Sequence, residues 1–279
     1  ESNIFKTLYR PFSKSLVFRH KILNWSDYRQ KEIFPYKDSE NLAIIVTGVG
    51  SRAGFSCLMS NCLLDVQTLD NGQCFPLFRF ENGNNGESAT LFQKSECDIN
   101  INSDFTKLVS DKYKNPNISQ QKIFFYIYGL LHSEEYRDRY RNNLTKEFPR
   151  IYLPKKDSEF LEFARCGEEL SNLHVNFENT EKYPIQIKQG DLRLSNIEDP
   201  QSFFRVERMR FPNKNDLTTV IYNKNITIEN IPRNAFEYIV SGKSALGWVM
   251  DRQSVKIDKA TGIVNDANDY ANETMNNPA

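Results

Sequence analysis

The spacing of apolar and polar positions changes character several times along this chain. The densest apolar stretch lies in residues 117–148: Ile123, Phe124, Phe125, Tyr126, Ile127, Tyr128, Leu130 and Leu131 leave no polar side. A helix apolar all round must be buried all round. Beyond His132, Tyr136, Tyr140 and Leu144 continue one stripe at intervals of four, and Glu134, Glu135, Arg137, Asp138, Arg139 and Arg141 cover the remaining surface. Asn117 followed by Gln120 approximates a capping box, and Pro149 denies the helix an amide. The pattern predicts one helix over 117–148, or two with a kink near Gly129, rooted in a core and reaching outward. A second helix is predicted from Asp157 as N-cap, with Phe160, Phe163, Ala164, Gly167, Leu170 and Leu173 inward.

Either side of these helices the texture is β. Leu16, Val17 and Phe18 form a short β-prone run, and residues 41–47 (NLAIIVT) read as a continuous apolar strand. Residues 75–80 (FPLFRF) are another strand, near an edge because of Pro76. Residues 81–117 are polar and turn-rich and read as a surface loop or a variable insertion. After Tyr183, Ile185 and Ile187 alternate, as do Ile226 and Ile228. FFRVERMRF and LTTVIYN flank the turn PNKND as a hairpin that would put Val206, Arg208 and Arg210 on one face. Pro232 opens a short helix, and Ser244 caps another holding Ala245, Leu246, Trp248 and Val249.

This order predicts an α+β fold, a β-rich domain (antiparallel sheet or barrel-like) with an inserted helical segment. Three parts are expected within one continuous module: β-rich 1–116, helical 117–178, and a β-hairpin and small-helix part, 179–279. Both ends look cut from a longer polypeptide.

Composition narrows the classes. Over 279 residues, 39% hydrophobic and 13% aromatic content suits a folded core, and no apolar run approaches a membrane span. Five irregularly spaced cysteines suggest buried thiols in a reducing, cytoplasmic compartment. Thirty-six basic residues balance thirty-six acidic ones. Their distribution is uneven: Lys6, Arg10, Lys14, Arg19, Lys21, Arg29 and Lys31 face only Glu1 and Asp27, and Arg205, Arg208, Arg210, Lys214 and Lys224 face only Glu207 and Asp216. Two basic patches on a neutral body fit anion or nucleic-acid contact, and also ordinary solvated faces.

Catalytic signatures are incomplete. Gly48, Gly50 and Gly54 follow a strand, but one residue too widely spaced for a dinucleotide fingerprint, and a strand-to-strand turn suits them better. Gly242-Lys243-Ser244 lacks the earlier glycine of a phosphate loop, since Glu237 stands there. Cys57, Cys62 and Cys74 do not match a zinc spacing, and His20, His132 and His174 are scattered, with His174 on the second helix's stripe. No catalytic set emerges, and no metal-binding one.

Seven runs change the picture. YRPF (9–12), TLDNGQCFPLFRF (68–80), YGLLHSEEYRDRY (128–140), RIYLP (150–154), LHVNFE (173–178), VERMRF (206–211) and GKSALGWVMDR (242–252), in this order, resemble the C-terminal specificity region of type ISP restriction-modification enzymes. In that family one polypeptide carries a nuclease, an ATP-driven translocase, an adenine-N6 methyltransferase and a target recognition domain. The resemblance implies that this chain is the last part, without activity of its own. Its partners would be double-stranded DNA and the methyltransferase and motor domains of the same polypeptide, with no membrane. S-adenosylmethionine, ATP and Mg2+ would serve the parent, and this part would hold no cofactor.

Arg208 and Arg210 are then candidates for base or phosphate contact, with Lys214 in the adjoining turn. They could instead pair with acids on a neighbouring strand. Arg10, Lys14, Arg19 and Lys21 are candidates for phosphate contact, although Arg10 could be structural. Two other readings stay open: a coupling or scaffold domain that reads no bases, and a nucleotide-binding enzyme using the Gly48–Gly54 loop.

Overall fold

The computed structural model describes residues 3–24, 26, 28–80, 97–188 and 197–277. The chain divides into two units: Glu1–Tyr9 with Leu16–Thr180, and Arg10–Ser15 with Glu181–Ala279. The expected parts 1–116, apart from Arg10–Ser15, and 117–178 thus fall in one unit.

Along the chain, β1 (Ile4–Arg10) and β2 (Ser13–Phe18), whose facing ends Arg10 and Ser13–Ser15 belong to the second unit, and the short α1 (Gln30–Ile33) precede the central strand β3 (Ala43–Val46) of the first unit. Then come β4 (Cys57–Ser60), β5 (Leu63–Leu64), β6 (Gln73–Pro76), β7 (Phe78–Phe80) and β8 (Cys97–Ile99). Strand β3 lies between β4 and β6, antiparallel to both. All four of its residues are buried: Ile44 and Val46 belong to the main core, Ala43 to a smaller cluster with Phe5, Phe34 and Leu63. Burial on both faces explains its unbroken apolar run. Pro76 ends the edge strand β6, where its missing N–H interrupts no ladder.

Five more helices follow in this unit: α2 (Ser103–Tyr113), α3 (Gln120–His132), the short pair α4 (Glu134–Arg139) and α5 (Arg141–Leu144), and α6 (Asp157–Val175). Helix α3 buries seven residues on several sides. Tyr126 stacks on Phe160 of α6, ring centroids 4.5 Å apart. The helical stretch departs from expectation in three ways. Ser119, not Asn117, caps α3 by accepting from the Lys122 amide at 3.2 Å. The break falls at Ser133, whose extended backbone ends α3 while its Oγ accepts from the Tyr136 amide and starts α4. Gly129 stays helical because α6 crosses there: a Cβ at Gly129 would meet the Phe163 carbonyl, and one at Gly167 would meet that of Phe125, both inside 3.0 Å.

In α6, Asp157 opens the first turn rather than capping it, and burial follows Phe160, Ala164, Gly167, Ser171 and Val175. Leu173 is exposed instead of inward. Residues 81–96 of the expected loop lie outside the described residues; of the rest, 97–99 form β8 and 103–113 form α2, its N-terminus capped by Asn102, while 100–102 and 114–117 stay outside helix and strand.

The second unit contains β9 (Gln186–Lys188), α7 (Pro200–Phe204), β10 (Val220–Ile221), β11 (Thr227–Glu229), β12 (Ile239–Val240), β13 (Lys243–Ser244), α8 (Ala245–Arg252), β14 (Val255–Ile257) and β15 (Val264–Asp266). Its sheets are small, β10-β11-β9 and the pairs β12-β13 and β14-β15. Val220, Ile231 and Met250 form a core, with Met209 and Phe211 packed on it. Ser244 caps α8 by accepting from the Gly247 amide, as expected. Pro232 introduces a 3-10 turn over Arg233–Phe236. Among the described residues the α+β class holds, but the sheets are several and open, with β1 parallel to β5, and no barrel closes.

Candidate nucleic-acid interface

The second basic patch folds around a concavity of about 860 Å³ lined by Arg205, Arg208, Arg210 and Lys224, with one acid, Glu207. Local backbone bonding sets these side chains. Arg210 and Ile221 exchange both amide–carbonyl bonds, 3.1 and 2.8 Å, and Arg208 bridges Ser254. The expected hairpin is therefore real but reduced to one bridge. Alternation then turns Met209 and Phe211 to the core and leaves Arg208 and Arg210 exposed. Val206 does not share their face: it is buried, held by a two-way bond between its backbone and the Asn268 side chain.

The four cations are not equivalent. Arg205 is tied to Asp266 at 2.6 Å and Glu207 at 2.8 Å, and these bonds raise its pKa. Arg208, Arg210 and Lys224 form no ion pair among the described residues, so the expected alternative of pairing with strand acids is not seen there. Lys214 is exposed on the following turn, which Asn213 holds by accepting from the Asn215 and Asp216 amides at 2.9 and 3.0 Å. Hydrogen bonds from Thr218 hold the Asp216 carboxyl below its usual range.

The other candidates are not among the residues lining this concavity. Arg19 turns inward, donating to the Phe34 carbonyl at 2.9 Å with its guanidinium 5.2 Å from the Phe5 ring centre. Arg10 and Lys14 are half-buried and already engaged within the protein. Lys21 is exposed on a turn. Arg205 and Lys224 were missed as individual sites, although the local charge count had marked their segment.

The glycine loop connects β3 to β4, a strand-to-strand turn. Its amides are occupied: Gly48 donates to Asp70 O and Gly50 to Thr145 O, each at 3.0 Å. Cys57 is buried, which pushes its thiol up to about 12, while Cys97 and Cys166 are exposed, against the expectation of buried thiols. His174 meets the Tyr128 hydroxyl, and His132 Nδ1 lies 2.9 Å from the Tyr128 carbonyl.

Among sequence families, residues 1–278 match the Type ISP C-terminal specificity domain. The chain belongs to that family. This specificity domain is also similar to three solved structures. The ATP-dependent Type ISP restriction-modification enzyme LlaBIII bound to DNA superposes with a TM-score of 0.83 at 31% identity, over 98% of this chain and 17% of that one. A nuclease-deletion mutant of the Type ISP enzyme LlaGI, in complex with a DNA substrate mimic, gives 0.78 at 34% identity, over 99% of this chain and 22% of that one. The DrdV–DNA complex gives 0.78 at 30% identity, over 94% and 25%. The specificity domain thus spans a quarter or less of these chains. A search of curated proteins finds no match. Among the described residues, no helix is long and apolar enough to cross a membrane.

Proposed function

We propose that this specificity domain reads duplex DNA for a type ISP restriction-modification polypeptide. In this reading the other domains translocate with ATP and Mg2+, methylate adenine N6 with S-adenosylmethionine, and cleave. The specificity domain itself performs no reaction and holds no cofactor. The observation that carries the reading is the concavity where Arg208, Arg210 and Lys224 stand exposed and unpaired among the described residues, in a member of a family whose solved relatives are bound to DNA.

The chemistry follows from that placement. A guanidinium offers two parallel donors that match guanine O6 and N7 in the major groove, or two oxygens of a phosphate. The bridged backbone at 208 and 210 presents both side chains from one face. Lys224 and Lys214 supply phosphate contacts that hold register and make affinity salt-dependent. Arg10, Lys14 and Lys21 are assigned at most peripheral phosphate contacts, and the inward Arg19 is assigned a structural role.

Titration of a fluorescent duplex at two salt concentrations tests this. Target reading predicts binding that weakens steeply with salt. A coupling domain that reads no bases predicts negligible affinity at both. The nucleotide-enzyme alternative predicts a thermal shift with ATP or a dinucleotide, and the occupied amides of the Gly48–Gly54 turn argue against it.

A further inference from the structure

A second basic cluster in the same unit is distinct from the concavity. Asp251, in the last turn of α8, gathers three cations: Lys243 Nζ at 2.9 Å from Oδ2, Arg252 Nη2 at 2.9 Å from the same oxygen, and Lys256 Nζ at 3.0 Å from Oδ1. Burial works against the charge on Asp251, yet the three cations together hold its carboxyl well below the ordinary range. Trp248 forms one wall. Its indole is fixed by Nε1–H donating to Val240 O at 2.7 Å, with Lys243 Nζ 4.6 Å and Arg252 5.6 Å from its ring centre. No other carboxylate pairs with these cations among the described residues, so one negative charge faces three positive ones and the cluster carries a net +2.

One carboxylate has only two oxygens and cannot use the donors that three cationic heads provide. It does fix where those heads point. Lys256 is half exposed, and its strand β14 runs beside Glu207 and Arg208, joined by the Val255 amide to Glu207 O at 3.0 Å and by the Arg208–Ser254 bridge. Lys256 therefore stands two residues beyond the backbone partner of Arg208.

We propose that Lys243, Arg252 and Lys256 form a phosphate-diester anchor that grips the duplex backbone beside the Arg208–Arg210 concavity, independently of base sequence. The proposal rests on the DNA-reading function above. A purely structural cluster, tying β13, α8 and β14 together, would leave DNA affinity unchanged.

The test uses this chain, two fluorescein-labelled duplexes of unrelated sequence, and a salt series. Lys256→Gln is expected to weaken both duplexes alike and to reduce the slope of log affinity against log salt by about 0.9, on the order of 8-fold at about 0.1 M salt. Lys256→Arg is expected to restore both. Lysine acetylation of the wild-type protein, which needs no variant to fold, should show Lys243 and Lys256 protected by duplex relative to the exposed Lys259. An unchanged slope in folded Lys256→Gln, or no protection, overturns the anchor while leaving target reading intact. No binding by the wild type at the lowest salt overturns both.

Discussion

Replacing Gly129 or Gly167 by alanine sets two effects of opposite sign against each other. Helix propensity alone favours alanine by about 1 kcal/mol. The crossing of α3 and α6 opposes it, because an added Cβ at either position would lie inside 3.0 Å of a backbone carbonyl on the other helix. Backbone cannot rotate away as a side chain can, so the helices must part by about 1 Å. Such a gap forfeits a quarter to a half of each dispersion contact across the interface; with roughly 50 contacts of about 0.15 kcal/mol, this loses about 2–4 kcal/mol. The seam includes the Tyr126–Phe160 stack and the edge contact of Tyr126 with Phe163. The net expectation is a loss of about 1–3 kcal/mol for either variant. The double variant should cost less than the sum, because one separation relieves both clashes. Urea unfolding followed by helical circular dichroism measures this. A rise in midpoint for either alanine would show that the close approach is not held, and would refute the reasoning.

Acid should destabilise the fold through His132 and His174, whose pKa values burial first, and Arg137 second, lower from 6.5 to about 3 and about 4. Between these values and 6.5 the unfolded chain binds protons that the folded one excludes. Stability is therefore complete above pH 6.5 and falls with pH, by about 2 kcal/mol per ring at about pH 5. Equal urea midpoints at about pH 7.5 and pH 5 would contradict it. Asn41 is buried and satisfies four backbone groups, accepting from the Leu42 and Phe78 amides and donating to the Ile33 and Phe78 carbonyls. Asn41→Ala should cost roughly 2–4 kcal/mol in urea unfolding, since those groups stay buried and partly unpaired; a cost near zero would show that water replaces the side chain. For the site, Arg208→Ala or Arg210→Ala should relax discrimination at one base pair by about 1–3 kcal/mol, visible as degenerate methylated sites when DNA is sequenced from cells making the full parent polypeptide. Uniformly weaker methylation without degeneracy would assign that arginine to phosphate instead.

Local pattern decided much of this molecule. The all-round apolar run of α3, the continuous apolar run of β3, the Ser244 cap and the β-α-β order that defines the α+β class all follow from periodicity and from side chains that bond their own neighbours. Arg208 and Arg210 could be placed on one face because strand alternation is a local rule. What tertiary structure alone decided is how long-range partners sort residues that look alike in sequence. Arg205 belongs to the same basic run as Arg208 and Arg210, yet Asp266, 61 positions away, neutralises it. Arg19 reads as a phosphate ligand until the Phe34 carbonyl and the Phe5 ring take its guanidinium. Gly129 reads as a kink because local propensity disfavours glycine in a helix; only the presence of α6 shows that it is there to let two backbones touch. Composition and spacing specify which residues can be buried or charged. The free energy of a given charge or glycine depends on what lies within a few ångströms of it, and distant chain segments supply that.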